Sequence, residues 1–278
     1  MSVARQIESE LSTFYPQGEL KALVRLLLFE VAGWEPTDLL THPEWALTPA
    51  QQAKIDDTVA RLKRYEPIQY IVGHTDFCGA QISVDKNVLI PRPETAELID
   101  LVEKNVPKNA RLLDIGTGSG CIAIALAKRL PEAHITAYDI SGDALKLARK
   151  NAEQNGVKIN FEKIDILNAP AINQKFDAIV SNPPYVMQRE KSEMQPNVLD
   201  YEPALALFVA DDNPLIFYDR IADFAKTNLT DGGKLFFEIN HLLAHETAEL
   251  MLKKGFSSAE LVKDSFEKER FLIVRNYE

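Results

Sequence analysis

The chain predicts an α/β fold: a mostly parallel sheet flanked by helices, with a small helical bundle ahead of it. Three observations carry this. From residue 110 onward, short apolar segments alternate with amphipathic ones. The first apolar segment runs straight into a glycine-rich stretch, "DIGTGSG", at 114–120. Before Ile68 there is no strand-like alternation, only apolar residues at helical spacing.

In "ELKALVRLLLFEVAGW", Leu20, Leu23, Val24, Leu27, Leu28 and Val31 share one helical face, and Gly33 supplies the stop. Thr48 and Pro49 suit the cap and first position of the next helix, whose inward stripe is Ile55, Val59 and Leu62. Trp34 and Trp45 are expected in the core of this bundle or at a docking surface. Residues 76–90, "DFCGAQISVDKNVLI", predict a hairpin turning at "DKN". A helix, "TAELIDLVEKNV", follows Pro93. Then "ARLLDIG", "HITAYDI", "INFEKIDI", "FDAIVSN" and "GKLFFEIN" read as strands. Among them lie the helices "CIAIALAKRL", "SGDALKLARKNAEQNG" and "NPLIFYDRIADFAKTNL". "SSAELVKD" and "RFLIVRN" end the chain as an antiparallel hairpin at or near the sheet edge. The expected domains are a helical one over 1–75, a hairpin linker over 76–90 and a sheet-bearing one over 91–278.

Bulk properties narrow the function. The balance of 31 basic against 41 acidic residues is −10, with no basic stripe, which weighs against a duplex DNA surface. Cys78 and Cys121 lie far apart, in no metal-ligand spacing, and predict two reduced, buried thiols. His241 and His245 are four apart but lack a third ligand, so a surface helix and no metal is expected. No apolar run reaches about 18 residues, and the polar start is unlike a secretory signal. A cytoplasmic location is expected.

The chemistry concentrates at strand ends. A dinucleotide fingerprint needs G-x-G-x-x-G, whereas Gly116, Gly118 and Gly120 form G-x-G-x-G. Asp114 before that loop would repel a pyrophosphate and attract an ammonium group. Asp139, at the end of the second strand, can accept from ribose hydroxyls. Asp165, ending the third, is placed for an adenine amino group or is merely a solvated strand end. Ribose, adenine and a cationic amino acid together describe S-adenosyl-L-methionine. The fourth strand ends in "SNPPY", 181–185. The prolines forbid further pairing and stiffen the tip. Asn182 and the Pro183 carbonyl offer two acceptors for the two hydrogens of a substrate –NH2, and Tyr185 a flat face for it. Catalysis by positioning follows.

These motifs resemble class I (Rossmann-like) S-adenosylmethionine-dependent methyltransferases that modify planar amino groups. The N-P-P-Y motif serves both adenine-amino DNA methyltransferases and glutamine-amide methyltransferases. "PIQYIVG", "VLIPRPET", "LDIGTGSG", "VSNPPY" and "YEPALALF" together resemble the HemK/PrmC family, over nearly the whole chain. The resemblance implies a seven-stranded, mostly parallel sheet. It implies methylation of the glutamine amide in the Gly-Gly-Gln motif of peptide chain release factors, held by the helical domain. It places Asp114, Gly116, Thr117, Gly118, Ser119, Gly120, Asp139, Asp165, Ile166 and Asn182 at the cofactor. Asn182, Pro183, Pro184 and Tyr185 would hold the glutamine, with Arg92 and Glu94 from "PRPET" near it or bracing the linker. The expected partner is a class I release factor, with no direct nucleic acid, no membrane and a monomeric enzyme. Three positions depart from the family pattern: Ala96 with Glu97 after "PET", Asn240 in place of a glycine, and Ile166 in place of an aromatic.

Overall fold

The computed structural model describes residues 2–35, 37–42 and 45–277, the Leu39 side chain excepted. The chain forms two compact units, Met1–Gly73 with Gln195–Tyr201, and His74–Met194 with Glu202–Glu278.

The first unit is helical: α1 (Val3–Leu11), α2 (Gln17–Ala32), α3 (Asp38–Thr41), α4 (Pro49–Leu62) and α5 (Ile68–Val72). Ile7, Leu11, Leu27, Leu28 and Leu62 are buried together at its centre, as the helical spacing requires. A capping box starts α4: the Gln51 amide donates to Thr48 Oγ1 at 3.3 Å, and Gln51 Oε1 accepts from the Thr48 amide at 2.9 Å. Trp34 is partly buried against this core, while Trp45 is 39% exposed and stacks on His42. Arg61 grips Glu66 through two hydrogen bonds of 2.8 and 2.5 Å. The Tyr201 hydroxyl donates to the Arg64 carbonyl at 2.8 Å and ties the distant segment 195–201 into this unit.

The second unit opens with β1 (His74–Phe77), β2 (Ala80–Ser83) and α6 (Thr95–Asn105). Alternation follows: β3 (Arg111–Ile115), α7 (Cys121–Arg129), β4 (His134–Asp139), α8 (Gly142–Gln154), β5 (Asn160–Lys163) and β6 (Phe176–Ser181). Next come short β7 (Val186–Met187), α9 (Pro196–Leu199, within the first unit), α10 (Ala204–Leu207) and β8 (Phe208–Val209). The chain ends with α11 (Ile216–Asn228), β9 (Leu229–Glu238), α12 (Ala244–Lys253), β10 (Ser258–Lys263) and β11 (Glu269–Arg275). Seven strands make one sheet in the order β10-β11-β9-β6-β3-β4-β5. Strand β11 runs antiparallel to both β9 and β10, and the other neighbours are parallel. The mostly parallel α/β sheet with its antiparallel terminal hairpin is the one expected. The strand order reverses at β3, which has β4 on one side and β6 on the other. The crevice beyond their carboxyl ends is where such sheets place ligands.

Three local expectations need correction. The hairpin spans His74–Ser83, inside the second unit, and turns at Cys78-Gly79, not at "DKN". Cys78 and Gly79 have φ of 48° and 73°, the left-handed pair that matches hairpin twist. "DKN" does turn, with the Asn87 amide donating to Asp85 Oδ1, but no strand follows. The Ile90 amide is taken by Glu202 Oε2 instead of a ladder, and prolines come next. The third strand of the alternation also stops early, at Lys163, because Asp165 caps a 3-10 turn by accepting from the Leu167 amide. The two cysteines are free but only partly buried.

Candidate active site

The carboxyl edges of β3, β4 and β6 surround a cavity of about 350 Å³, the size of a small-molecule site. Its wall takes in Gly116, Thr117, Gly118, Ser119, Asp139, Asp165, Ile166, Asn182, Pro183, Pro184 and Arg92. Sequence-predicted residues from five segments thus meet at one place. Four others do not line it: Asp114, Gly120, Glu94 and Tyr185.

The glycine loop is held from below. The amides of Gly116 and Thr117 donate to the Tyr138 carbonyl, at 2.9 and 3.0 Å. Gly116 and Gly118 have φ of 75° and 53°, and a Cβ on either would meet nothing within 4 Å. These glycines therefore give the backbone its left-handed turns while leaving room in front of the loop for a ligand. Gly120 acts differently: a Cβ there would lie 3.1 Å from the Ala148 Cβ. It lets α7 pack close to α8.

Asp139 Oδ2 accepts from the Gly118 amide and Oδ1 from the Ser141 amide, both at 2.8 Å. Burial raises this carboxyl, and the backbone donors pull the other way. One side chain therefore fixes the glycine loop and the start of α8, and still faces the cavity. Asp114 sits under the loop, 1% exposed. Its Oδ2 accepts from Thr117 Oγ1 at 2.6 Å, while Oδ1 and the nearby Ser119 hydroxyl are buried without a hydrogen-bond partner. Burial pushes the Asp114 carboxyl up to about 7. It lies behind the loop and is not part of the cavity wall.

Beside this loop stands the tip of β6. The Ser181 hydroxyl donates to the Ile115 carbonyl at 2.7 Å, joining the ends of β6 and β3. Asn182 Nδ2 donates to Thr95 Oγ1 at 3.4 Å, and Thr95 Oγ1 donates to Glu238 Oε2 at 2.7 Å. The Tyr185 hydroxyl donates to Glu238 Oε1 at 3.0 Å. Tyr185 packs against the core and is not part of the cavity wall. Glu238 is buried, and its carboxyl is raised by that burial. Its signal in the sequence is a carboxylate embedded in the apolar run "LFFEI".

Arg92 pairs with Glu202 at 2.7 Å, and Glu202 also takes the Ile90 amide. "PRPET" and "YEPAL" are thereby fastened to each other at the cavity rim. Glu94 stands at the N-cap of α6 without a capping bond. Asn240, one of the departures, donates from Nδ2 to the Tyr185 carbonyl at 3.1 Å and to Glu190 Oε1 at 3.0 Å. It braces the chain just past "NPPY", a bond glycine could not make. His245 faces Glu269, and among the described residues no group of three His, Cys, Asp or Glu is placed to hold a metal. Nor is any described helix long and apolar enough to cross a membrane.

Comparison with known proteins agrees with this geometry. A family model described as "Methyltransferase small domain" matches residues 93–200, and one described as "PrmC N-terminal domain" matches residues 3–73. A release factor glutamine methyltransferase of Bacteroides thetaiotaomicron is 45% identical, covering 97% of this chain and 98% of that protein. One of Flavobacterium psychrophilum is 43% identical, covering 97% and 96%. A crystal structure of a methyltransferase from Pyrococcus furiosus shares the fold, with TM-score 0.55 and 19% identity over 82% of this chain and 98% of that one. The cavity at the glycine loop and the end-to-end likeness to these relatives lead to one conclusion: the chain belongs to the release factor glutamine methyltransferase family.

Proposed function

We propose that the chain transfers the methyl group of S-adenosyl-L-methionine in line to the side-chain amide nitrogen of the glutamine in the Gly-Gly-Gln motif of class I release factors, leaving S-adenosyl-L-homocysteine. The observation that carries this is the presence of Asn182 and Pro183 on the same cavity wall as the glycine loop.

The residues fit the cofactor. Gly116 and Gly118 leave open space in front of the loop. Asp139 has lone pairs left for ribose hydroxyls after its two backbone bonds. Ile140, Ile166 and Leu167 give an apolar slot beside Asp165 for an aromatic base, so an aliphatic floor replaces the aromatic at Ile166. Asp114 is buried behind the loop with one carboxyl oxygen unpartnered, and a bound ammonium group would favour its ionised form. When bound, the cofactor supplies an electrophilic methyl group on a cationic sulfur.

The rest is done by this chain. A glutamine amide nitrogen is a weak nucleophile because its lone pair is delocalised into the carbonyl. Asn182 Oδ1 and the Pro183 carbonyl accept its two hydrogens and turn the lone pair toward the methyl group. The rigid Pro-Pro unit keeps the two acceptors in register. No strong base is required, since the added proton leaves after transfer. The helical unit holds the release factor, and the enzyme acts in the cytoplasm as a monomer. Adenine-amino transfer would use similar acceptors, but a net charge of −10 weighs against a duplex DNA surface.

Mass spectrometry tests this. A purified, unmodified release factor incubated with the enzyme and S-adenosylmethionine gains one methyl group on the motif's glutamine. Transfer to an adenine oligonucleotide, with none to the release factor, would replace this reading by the nucleic-acid one.

A further inference from the structure

We infer that Thr95 and Glu238, neither of which needs to touch the substrate amide, act as positioning residues that lock Asn182 with its carbonyl edge toward the cavity. The inference rests on the amide-transfer reading above and deepens it. An asparagine amide has two nearly isosteric edges, one accepting and one donating. Only the accepting edge can receive a substrate N–H. A flipped Asn182 would set its own NH2 against the NH2 of the glutamine, donor against donor.

A chain of single-proton decisions prevents that flip. Glu238 accepts at both oxygens, from Thr95 at 2.7 Å and from Tyr185 at 3.0 Å. Burial strongly raises the Tyr185 hydroxyl, so it keeps its proton and remains a donor. Burial raises the Glu238 carboxyl and the two hydrogen bonds it accepts pull the other way, so the lock rests on the geometry of those two bonds. A threonine hydroxyl has one proton, and that of Thr95 is committed to Glu238. Thr95 Oγ1 then has only lone pairs for Asn182, which must answer with Nδ2, here at 3.4 Å. Oδ1 is the edge left for the substrate. All of this is built into the α6 start and the β9 end: Thr95 is 2% exposed and Glu238 2%.

Thr95→Val keeps the shape and removes the hydroxyl, whereas Thr95→Ser keeps the hydroxyl. The valine variant is expected to lose roughly tenfold to a hundredfold in kcat with cofactor affinity unchanged, and the serine variant to recover most of it. In the Asn182→Ala background, Thr95→Val should change kcat less than about twofold, since nothing remains to orient. An equal loss in both backgrounds, or full kcat in the valine variant, overturns the lock. A second readout needs no substrate. In protein labelled with 15N-asparagine, the side-chain NH2 signal of Asn182, identified by its loss in Asn182→Ala, should shift in Thr95→Val and stay in Thr95→Ser. An unmoved signal overturns the lock whatever the substrate. A moved signal with no methyl transfer to a release factor would leave the lock standing and remove the substrate reading.

Discussion

Asn182→Ala is expected to bind S-adenosylmethionine as well as the parent chain and to turn over release factor about 100-fold more slowly. The reason is the division of labour in the cavity. The loop at Gly116 and Gly118 and the carboxylate of Asp139 face the cavity, and their bonds run to Tyr138, Ser141 and one another, not to Asn182. Among the described residues the Asn182 side chain bonds sideways, to Thr95. Its removal therefore loosens the substrate amide and leaves the loop intact. Calorimetric titration and single-turnover kinetics on the same preparation separate the two effects. Undiminished single-turnover rates in the variant would end the positioning account.

Asp139→Ala should fail at the earlier step. The substitution removes the proposed ribose acceptors and also strips partners from the Gly118 and Ser141 amides. Each unsatisfied donor costs about 1–3 kcal/mol where water cannot reach it. Together with the lost ribose bonds, cofactor affinity should fall by about 100-fold or more. Titration with S-adenosylmethionine reads this directly, and NAD should not bind the parent chain. Retained affinity in the variant would mean that another group carries the ribose.

The alternation from β3 to β9 was legible because each strand is a short apolar run and each helix an amphipathic one. The sites at Gly116, Asp139 and Asn182 were legible because parallel strands deliver their carboxyl ends to one edge. What escaped depends on partners remote in sequence. Ile90 looks like a strand residue until the Glu202 carboxylate, 112 positions away, claims its amide. Nothing in the sequence around Tyr185 announces the bond of its hydroxyl to Glu238, 53 positions away. Gly120 reads like its neighbours in the loop, and only the approach of Ala148 makes it a packing residue. The departure at Asn240 has no visible role in the sequence and gains one in space, because its amide reaches two partners.

The half-satisfied carboxyl beneath the glycine loop also makes that loop a store for a proton. Between its ordinary value of 3.8 and about 7, Asp114 stays protonated in the folded chain while its unfolded counterpart has ionised. The folded form then binds more protons, so this residue's contribution to stability declines as pH rises through that window. Glu66 in the helical unit has the opposite sign. The hydrogen bonds from Arg61 lower its carboxyl, so its contribution is present at neutral pH and is lost as pH falls through its folded value. Mild acidification therefore relieves the unit that holds the cofactor, and stronger acidification undoes the ion pair of the helical one.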